Sequence, residues 1–478
     1  MAHFLRSLLC VGLLWGQASL NHAQDTNTLP DFATFSVNAA QEYALGRQFL
    51  RELRASTPVL SDPLINNYLE NLSYKLAFAA QSKHQQLQLV LLPDRNINAF
   101  AVMGGVIGVN AGLLLYADNE AEVAAVLAHE LAHIDQHHYA RASQAQSGDS
   151  WLYLAAILAS IALSSASDSD AGLALGLSTQ AALIDKQLSY SRLHEREADH
   201  LGMQTLLAAG FNPQAMADFF VKMDKQVRAL GFMPEFLLTH PLSQERIADS
   251  TLRARQLPQT GTLTSLDYQL IRTRLLAIIN PKDRAKISAL QQQLQDNPDN
   301  QVARLALTFL LLNSEDYEAA RQQVKKLRQQ WPQRIDYVIA EADIELADNQ
   351  AQTALKLLQQ ALLLNPNNDA LRFYAANAAI KNKQYEQALI WLKPLSYERP
   401  EDPYVWQKLT EVYQAQKDGL NLLRARAEYS FLLGDIEKAL KDLEQAQRLA
   451  QENYPLLAKI ISRKQNLLEI KANSKKLR

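Results

Sequence analysis

Two histidines four residues apart, with a glutamate directly after the first, are the residues of this chain best suited to chemistry: His129-Glu130-Leu131-Ala132-His133. On a helix, positions four apart share a face, so both imidazoles can grip one metal ion. Zinc lowers the pKa of bound water to about 7, which makes hydroxide available at neutral pH. Glu130 then stands where a general base is needed. The spacing points to metal-dependent peptide hydrolysis.

The surrounding residues 120–138 predict the helix that such a site requires. Ala124, Leu127, Ala128, Leu131 and Ala132 recur at spacings of three and four, and no Gly or Pro interrupts them. A third ligand must come from elsewhere. His137 continues the four-residue series, but it sits about 12 Å from His129 along a straight helix, too far to share an ion. Its plain role is a partly solvated helix end. Residues 191–199, SRLHEREAD, place Glu195 and Asp199 on one face of a second helix. Glu195 can complete a His-His-Glu set that leaves a fourth position open to water. Asp199 can hold a ligand imidazole by its other nitrogen. A solvated helix face would carry similar charges.

HELAH followed by SRxxExxAD resembles the M48 zinc metallopeptidases. Two further elements carry the likeness: Asn98-Ala99-Phe100-Ala101 with Gly104-Gly105 and Val106-Ile107-Gly108-Val109, and the later His240-Pro241 with Arg246. It covers residues 31–257. Met103 stands where many members have Pro, which should alter the turn more than the chemistry. The resemblance implies one zinc ion per chain, held by His129, His133 and Glu195, with Glu130 as base and Asn98 and Arg246 as candidates for holding substrate or supporting the ligands. His240 precedes a Pro, which disfavours helix. It could stabilise the oxyanion, close the open zinc position as a gate, or cap the next helix. Arg246 could orient substrate, hold Glu195 or pair with another carboxylate.

Other elements must position these residues. Residues 87–91 alternate as a strand does, and 99–109 form two apolar stretches around Gly104-Gly105, a hairpin signal. The hairpin edge could pair with an extended substrate or simply cover the core. Residues 151–163 are apolar but too short to span a bilayer, which takes about 20 residues. They are expected to be buried or to lie on a surface. The small residues 172–182 suit a lid over the site or a plain core helix, and transient peripheral membrane contact is a third option.

The C-terminal half repeats. Pro298, Pro332, Pro366 and Pro400 recur every 34 residues, Ala320, Ala354 and Ala388 keep the same period, and Tyr317 and Tyr385 lie two periods apart. That period with helical patterning matches the tetratricopeptide repeat, whose arrays form concave surfaces that bind protein segments. The period slips near Gly434-Asp435 and Ala439, as expected of an end unit. The expected organisation is a signal peptide at 1–23, a peptidase domain at 24–257, a linker region at 258–283, repeats at 284–453, and a C-terminal helix with a basic tail at 454–478. The fold class is mostly α: a zincin-like metallopeptidase domain of helices with a small β-sheet, followed by an α-solenoid.

Residues 1–23 carry one early positive charge, an apolar stretch and small residues that allow cleavage after Ala18 or Ala23. Cys10, the sole cysteine, would leave with that segment, so disulfides cannot staple the mature chain. The 478 residues carry a net charge of −2 with 48% hydrophobic content. No basic excess or phosphate-cradling loop points to nucleic acid. An exported M48 domain with repeats resembles periplasmic quality-control proteases of Gram-negative bacteria. That implies unfolded or stalled outer-membrane barrel proteins as clients, and the barrel-assembly machine and the lipopolysaccharide-transport barrel as partners. The alternative is a chaperone or scaffold with a latent or structural metal site. Glu130 argues against it, since structural zinc sites need no base.

Overall fold

The computed structural model describes residues 39–83, 86–138, 154–155, 157–159, 161, 192–230, 234–281 and 285–476. The expected signal peptide at 1–23 and the lid candidate at 172–182 lie outside the described residues.

The first half wraps helices around one small sheet. Helices α1 (Ala39–Ser56) and α2 (Pro63–Ala79) precede strands β1 (Gln88–Leu92), β2 (Ala99–Val102) and β3 (Val106–Asn110). Strand order is β1-β3-β2, with β1 parallel and β2 antiparallel to β3. Met103, Gly104 and Gly105 make the turn between β2 and β3, with φ of +78° and +75° at the two glycines. A side chain at Gly46 on α1 would meet the Met103 carbonyl at 2.3 Å, so the turn is seated directly on α1.

Helices α3 (Ala111–Tyr116) and α4 (Glu120–Asp135) follow, and Asn119 caps α4 by accepting from the Glu122 amide at 3.0 Å. Helix α4 is buried from Glu120 through Ile134. A helix apolar on all sides belongs in a core, where every polar side chain needs a partner. Glu120 accepts from the Tyr68 hydroxyl and the Ser265 amide, both at 2.8 Å. Glu122 meets Lys222 at 3.2 Å. His129, Glu130 and His133 are the polar residues left for chemistry.

Beyond the undescribed stretch come α5 (Arg192–Ala208), α6 (Gln214–Leu230), α7 (Glu235–Thr239) and α8 (Gln244–Gln256). A side chain at Gly202 would press on the backbone of Ala128 and His129 at 3.2–3.3 Å, so this glycine lets α5 lie close against α4. Of residues 151–163, Leu154, Ile157 and Ile161 are buried in the same core as the sheet. No helix among the described residues is long and apolar enough to cross a membrane.

The second half is a helical solenoid. Helices α9 (Leu266–Ile279) and α10 (Lys286–Asp296) lead into α11 (Gln301–Asn313), α12 (Tyr317–Gln330), α13 (Ile335–Ala347), α14 (Ala351–Leu364), α15 (Asp369–Lys381), α16 (Tyr385–Glu398), α17 (Pro403–Ala415) and α18 (Gly419–Leu432). Each 34-residue unit holds one tight turn with a left-handed residue: Glu315, Asn349, Lys383 and Lys417, at φ of +58° to +63°. The repeated prolines lie in the connections between units, and Ala320, Ala354 and Ala388 are fully buried where paired helices touch. The same turn recurs at Gly434 (φ +85°), half a period after Lys417. There α18 pairs with α19 (Ile436–Leu449) as if opening a new unit, and α20 (Tyr454–Lys476) closes the array.

Within the expected linker region 258–283, helix α9 (Leu266–Ile279) forms a seam. Helix α9 sends Tyr268, Ile271 and Leu275 into the peptidase core and Leu270 into the first repeat core. Arg274 on the same helix donates to Asp62 at 2.9 Å, Asp343 at 2.8 Å and the Tyr374 hydroxyl at 2.6 Å. Asp62 also caps α2 through the Leu64 and Ile65 amides. One buried guanidinium thus joins the peptidase half to two repeats. Arg274→Ala strands two carboxyls and a phenol, and should cost about 3–5 kcal/mol. The check is a lowered urea midpoint, together with faster proteolytic nicking between the halves.

Candidate metal centre

Helix α4 delivers His129 and His133 to one face, and α5 brings Glu195 to meet them. The Nε2 atoms of the two histidines lie 3.0 Å apart. Glu195 Oε1 is 3.4 Å from His133 Nε2, and Oε2 is 3.6 Å from His129 Nε2. His240, at the end of α7, turns Nδ1 into the same space, 3.3 Å from both His129 Nε2 and Glu195 Oε1. All four side chains are at most 2% exposed. Zinc bonds of 2.0–2.1 Å in a tetrahedron put donor atoms about 3.3 Å apart. These separations of 3.0–3.6 Å bracket that spacing, and one donor atom from each of the four residues lies within 4.8 Å of the others, so the residues fit a zinc-sized ion that His240 could also reach.

The supports of this cluster are equally specific. Asp199 Oδ1 lies 3.1 Å from His129 Nδ1. Arg246 on α8 grips Asp199 with two bonds of 2.7 and 2.8 Å, reaches Glu195 Oε2 at 2.8 Å, and donates to the Pro241 carbonyl at 2.7 Å. It therefore ties the ligand helix to the segment carrying His240. Burial opposes charge on Glu195 and Asp199, but the neighbouring cations, Arg246 above all for Asp199, hold both carboxyls below the usual range. Burial likewise opposes protonation of His129, yet Asp199 and Glu195 lift it to about 9. His133, facing that cation in an apolar shell, is driven well below an ordinary imidazole. A metal-binding imidazole must be deprotonated, so an ion held by His129 would displace its proton.

Glu130 is fully buried, and neither of its oxygens makes a well-aligned hydrogen bond among the described residues. His240 Nε2 approaches Oε1 to 3.2 Å. Burial raises the Glu130 carboxyl, with the nearby histidines and the Ala101 amide opposing. That amide belongs to β2, one of the two edge strands of the sheet, so this strand passes beside the base.

The sequence reading missed one group of residues. Helix α4 ends at Asp135, and His137 takes a left-handed conformation (φ +51°) with its ring 3.2 Å from Glu42. That turn swings His138 back against His133, Nδ1 to Nδ1 at 2.8 Å, while its Nε2 meets Glu197 at 3.1 Å. His133 thus has its own orienting pair, as His129 has Asp199. Charge and spacing on a straight helix give no signal for this, because the reversal occurs past the helix end. Asn98 is buried ahead of β2 with no partner for its side-chain oxygen among the described residues, and nothing joins it to the four donors.

The chain matches the model of peptidase family M48 over residues 63–254 and that of the tetratricopeptide repeat over 283–344 and 345–412. It is 34% identical over 455 residues to the beta-barrel assembly-enhancing protease of Yersinia pestis, covering 93% of each chain. It is 32% identical over 447 residues to the protein of that name in Escherichia coli strain K12, covering 92% of this chain and 91% of the relative. The putative member from Vibrio cholerae is 33% identical over 452 residues, with 93% of each covered.

Removing a group that orients a metal-binding imidazole typically costs about 10- to 100-fold in metal affinity. Asp199→Asn and His138→Ala should each weaken zinc binding by about that factor without unfolding the chain. Competition with a chromophoric chelator, alongside circular dichroism, checks this.

Proposed function

This chain belongs to the beta-barrel assembly-enhancing protease family and is a metalloprotease, and we propose that one zinc ion, held by His129, His133 and Glu195, serves its peptidase site, with His240 as the gate. The carrying observation is the double placement of His240, whose Nδ1 sits among the ligands while Nε2 faces Glu130. Bound zinc supplies an acidified water and a Lewis acid for the scissile carbonyl. Glu130 takes the proton of the attacking water and hands it to the leaving amine. Burial raises its carboxyl above the ordinary range, which favours a group that must accept a proton and return it. While His240 stays in place, both the fourth corner and the base are engaged. Its departure frees them together, and the displaced imidazole can then donate to the oxyanion.

The substrate is an extended chain laid along β2, whose edge runs beside Glu130. Main-chain pairing suits a peptidase that accepts varied side chains. The clients are unfolded or stalled outer-membrane barrel proteins, recruited by the solenoid after the chain reaches the periplasm and loses residues 1–23. The barrel-assembly machine and the lipopolysaccharide-transport barrel are its partners. The names of the relatives and the repeat architecture support this part of the reading.

A second reading has one observation in its favour: four protein donors are what a structural zinc site presents. In that case the chain would be a chaperone with an idle metal. The two separate in an assay of unfolded-protein degradation with zinc content measured in parallel. Wild type should hold one zinc and cleave slowly. Glu130→Gln should keep the zinc and lose at least about 100-fold in cleavage. His240→Ala should keep zinc through the remaining three ligands and cleave faster than wild type. Zinc-loaded His240→Ala without cleavage would support the chaperone reading. Chelation should abolish the activity of wild type, and zinc should restore it.

A further inference from the structure

A cavity of about 480 Å³ lies far along the chain from the metal ligands, between α1 and the C-terminal helices α18 and α20. Its charge is unbalanced. Four guanidiniums line it, those of Arg47, Arg51, Arg54 and Arg463, against the carboxylates of Glu401 and Glu428. Glu428 is taken by Arg463 at 2.6–2.8 Å, and Glu401 by Arg47 Nε at 2.9 Å. Arg51 and Arg54 have no ion pair among the described residues. Arg47 is 93% buried, yet among the described residues both its terminal nitrogens lack a hydrogen-bond partner, as does Nη1 of Arg54. Burial without a matching carboxylate pulls Arg51 and Arg54 down to about 10.

The remaining wall is mostly apolar, with Gln48, Asn473 and Ser474 at its polar points. The Arg47 guanidinium lies 4.4 Å from the centre of the Tyr43 ring, and Arg51 and Arg463 lie 4.7 and 5.0 Å from that of Phe431. Leu432 and Ile470 complete the apolar side. The rings hold the guanidinium planes in place, so their donors are preorganised instead of free to seek water.

We propose that this cavity binds the C-terminal carboxylate of a peptide chain that ends in an apolar residue. A carboxylate matches the unfilled donors of Arg47, Arg51 and Arg54 in charge and in bidentate geometry. The adjoining aromatic and aliphatic wall takes a side chain. At a chain end one residue carries both features on a single Cα, and the volume suits a ligand of a few residues. Because α1 belongs to the peptidase half and α18 and α20 to the solenoid, such a ligand bridges the two. The site is separate from the metal centre and its deciding readout is peptide binding, with degradation only a control on the Arg51 variant, so failure of the peptidase reading leaves it standing.

The test uses the full mature chain and a fluorescein-labelled Ala-Val-Phe peptide with a free C-terminus, compared with its C-terminal amide, by fluorescence anisotropy. The acid should bind at least about tenfold tighter than the amide, and salt should weaken it. Arg51→Gln should lose about the same factor, while degradation of an unfolded protein stays at the wild-type rate. Inorganic phosphate should compete only weakly. Equal binding of acid and amide, no binding of either, or full displacement by millimolar phosphate would each overturn the proposal. The first two leave an apolar or purely structural cleft, and the third leaves a general anion site.

Discussion

Buried charge is the constraint around which this molecule is organised. Glu130, Glu195 and Asp199 sit with three imidazoles in a space from which water is excluded, and ions in such a place must be paired or neutralised. Arg246 supplies one positive charge to Glu195 and Asp199 at once. The donor spacing accommodates a divalent cation as the second. Without these counter-charges the α4–α5 contact would press carboxylates together in an apolar core. Metal binding and packing of the peptidase half are therefore one problem, in which ligand geometry is fixed by the same contacts that make the core.

The rest of the fold serves that arrangement by limiting movement. Helix α4 is enclosed on every face, Gly202 brings α5 against its backbone, and the β2–β3 hairpin is pinned to α1 by its glycine turn. The solenoid is not tethered loosely. Helix α9 is shared between both cores, and Arg274 fastens α2 to two repeats. His240 sits at a short helix end, its ring stacked on Phe236 at 4.9 Å and packed among His129, Glu195 and Glu130, and Pro241 beside it is linked to Arg246. The Pro241–Arg246 contact makes any shift of that segment felt at Glu195 and Asp199.

Much of this was legible in the sequence, for identifiable reasons. The i, i+4 rule alone puts His129 and His133 together, and likewise Glu195 and Asp199, because helical periodicity is local. The 34-residue period of the prolines marks the solenoid for the same reason. What depends on tertiary contact was not legible. His138 reaches His133 only because the chain reverses at His137. For Arg246 the sequence offered Glu195 or another carboxylate as partner among its options, but that it grips Glu195, Asp199 and the Pro241 carbonyl together depends on α8 folding over α5. The seam at α9 looked like a linker because Pro258, Gly261 and Pro281 flank it, and its two-faced burial has no clear period. The slip near Gly434-Asp435 and Ala439 was visible in the spacings, and the left-handed turn at Gly434, half a period after Lys417, accounts for it.

We propose that His240 closes the metal site from within, and X-ray absorption at the zinc edge of the loaded wild-type chain and of His240→Ala tests this. Three imidazoles and one carboxylate should surround zinc in wild type, and two imidazoles, one carboxylate and a water-derived oxygen in the variant. An identical shell in both proteins, with only two imidazoles in wild type, would contradict it.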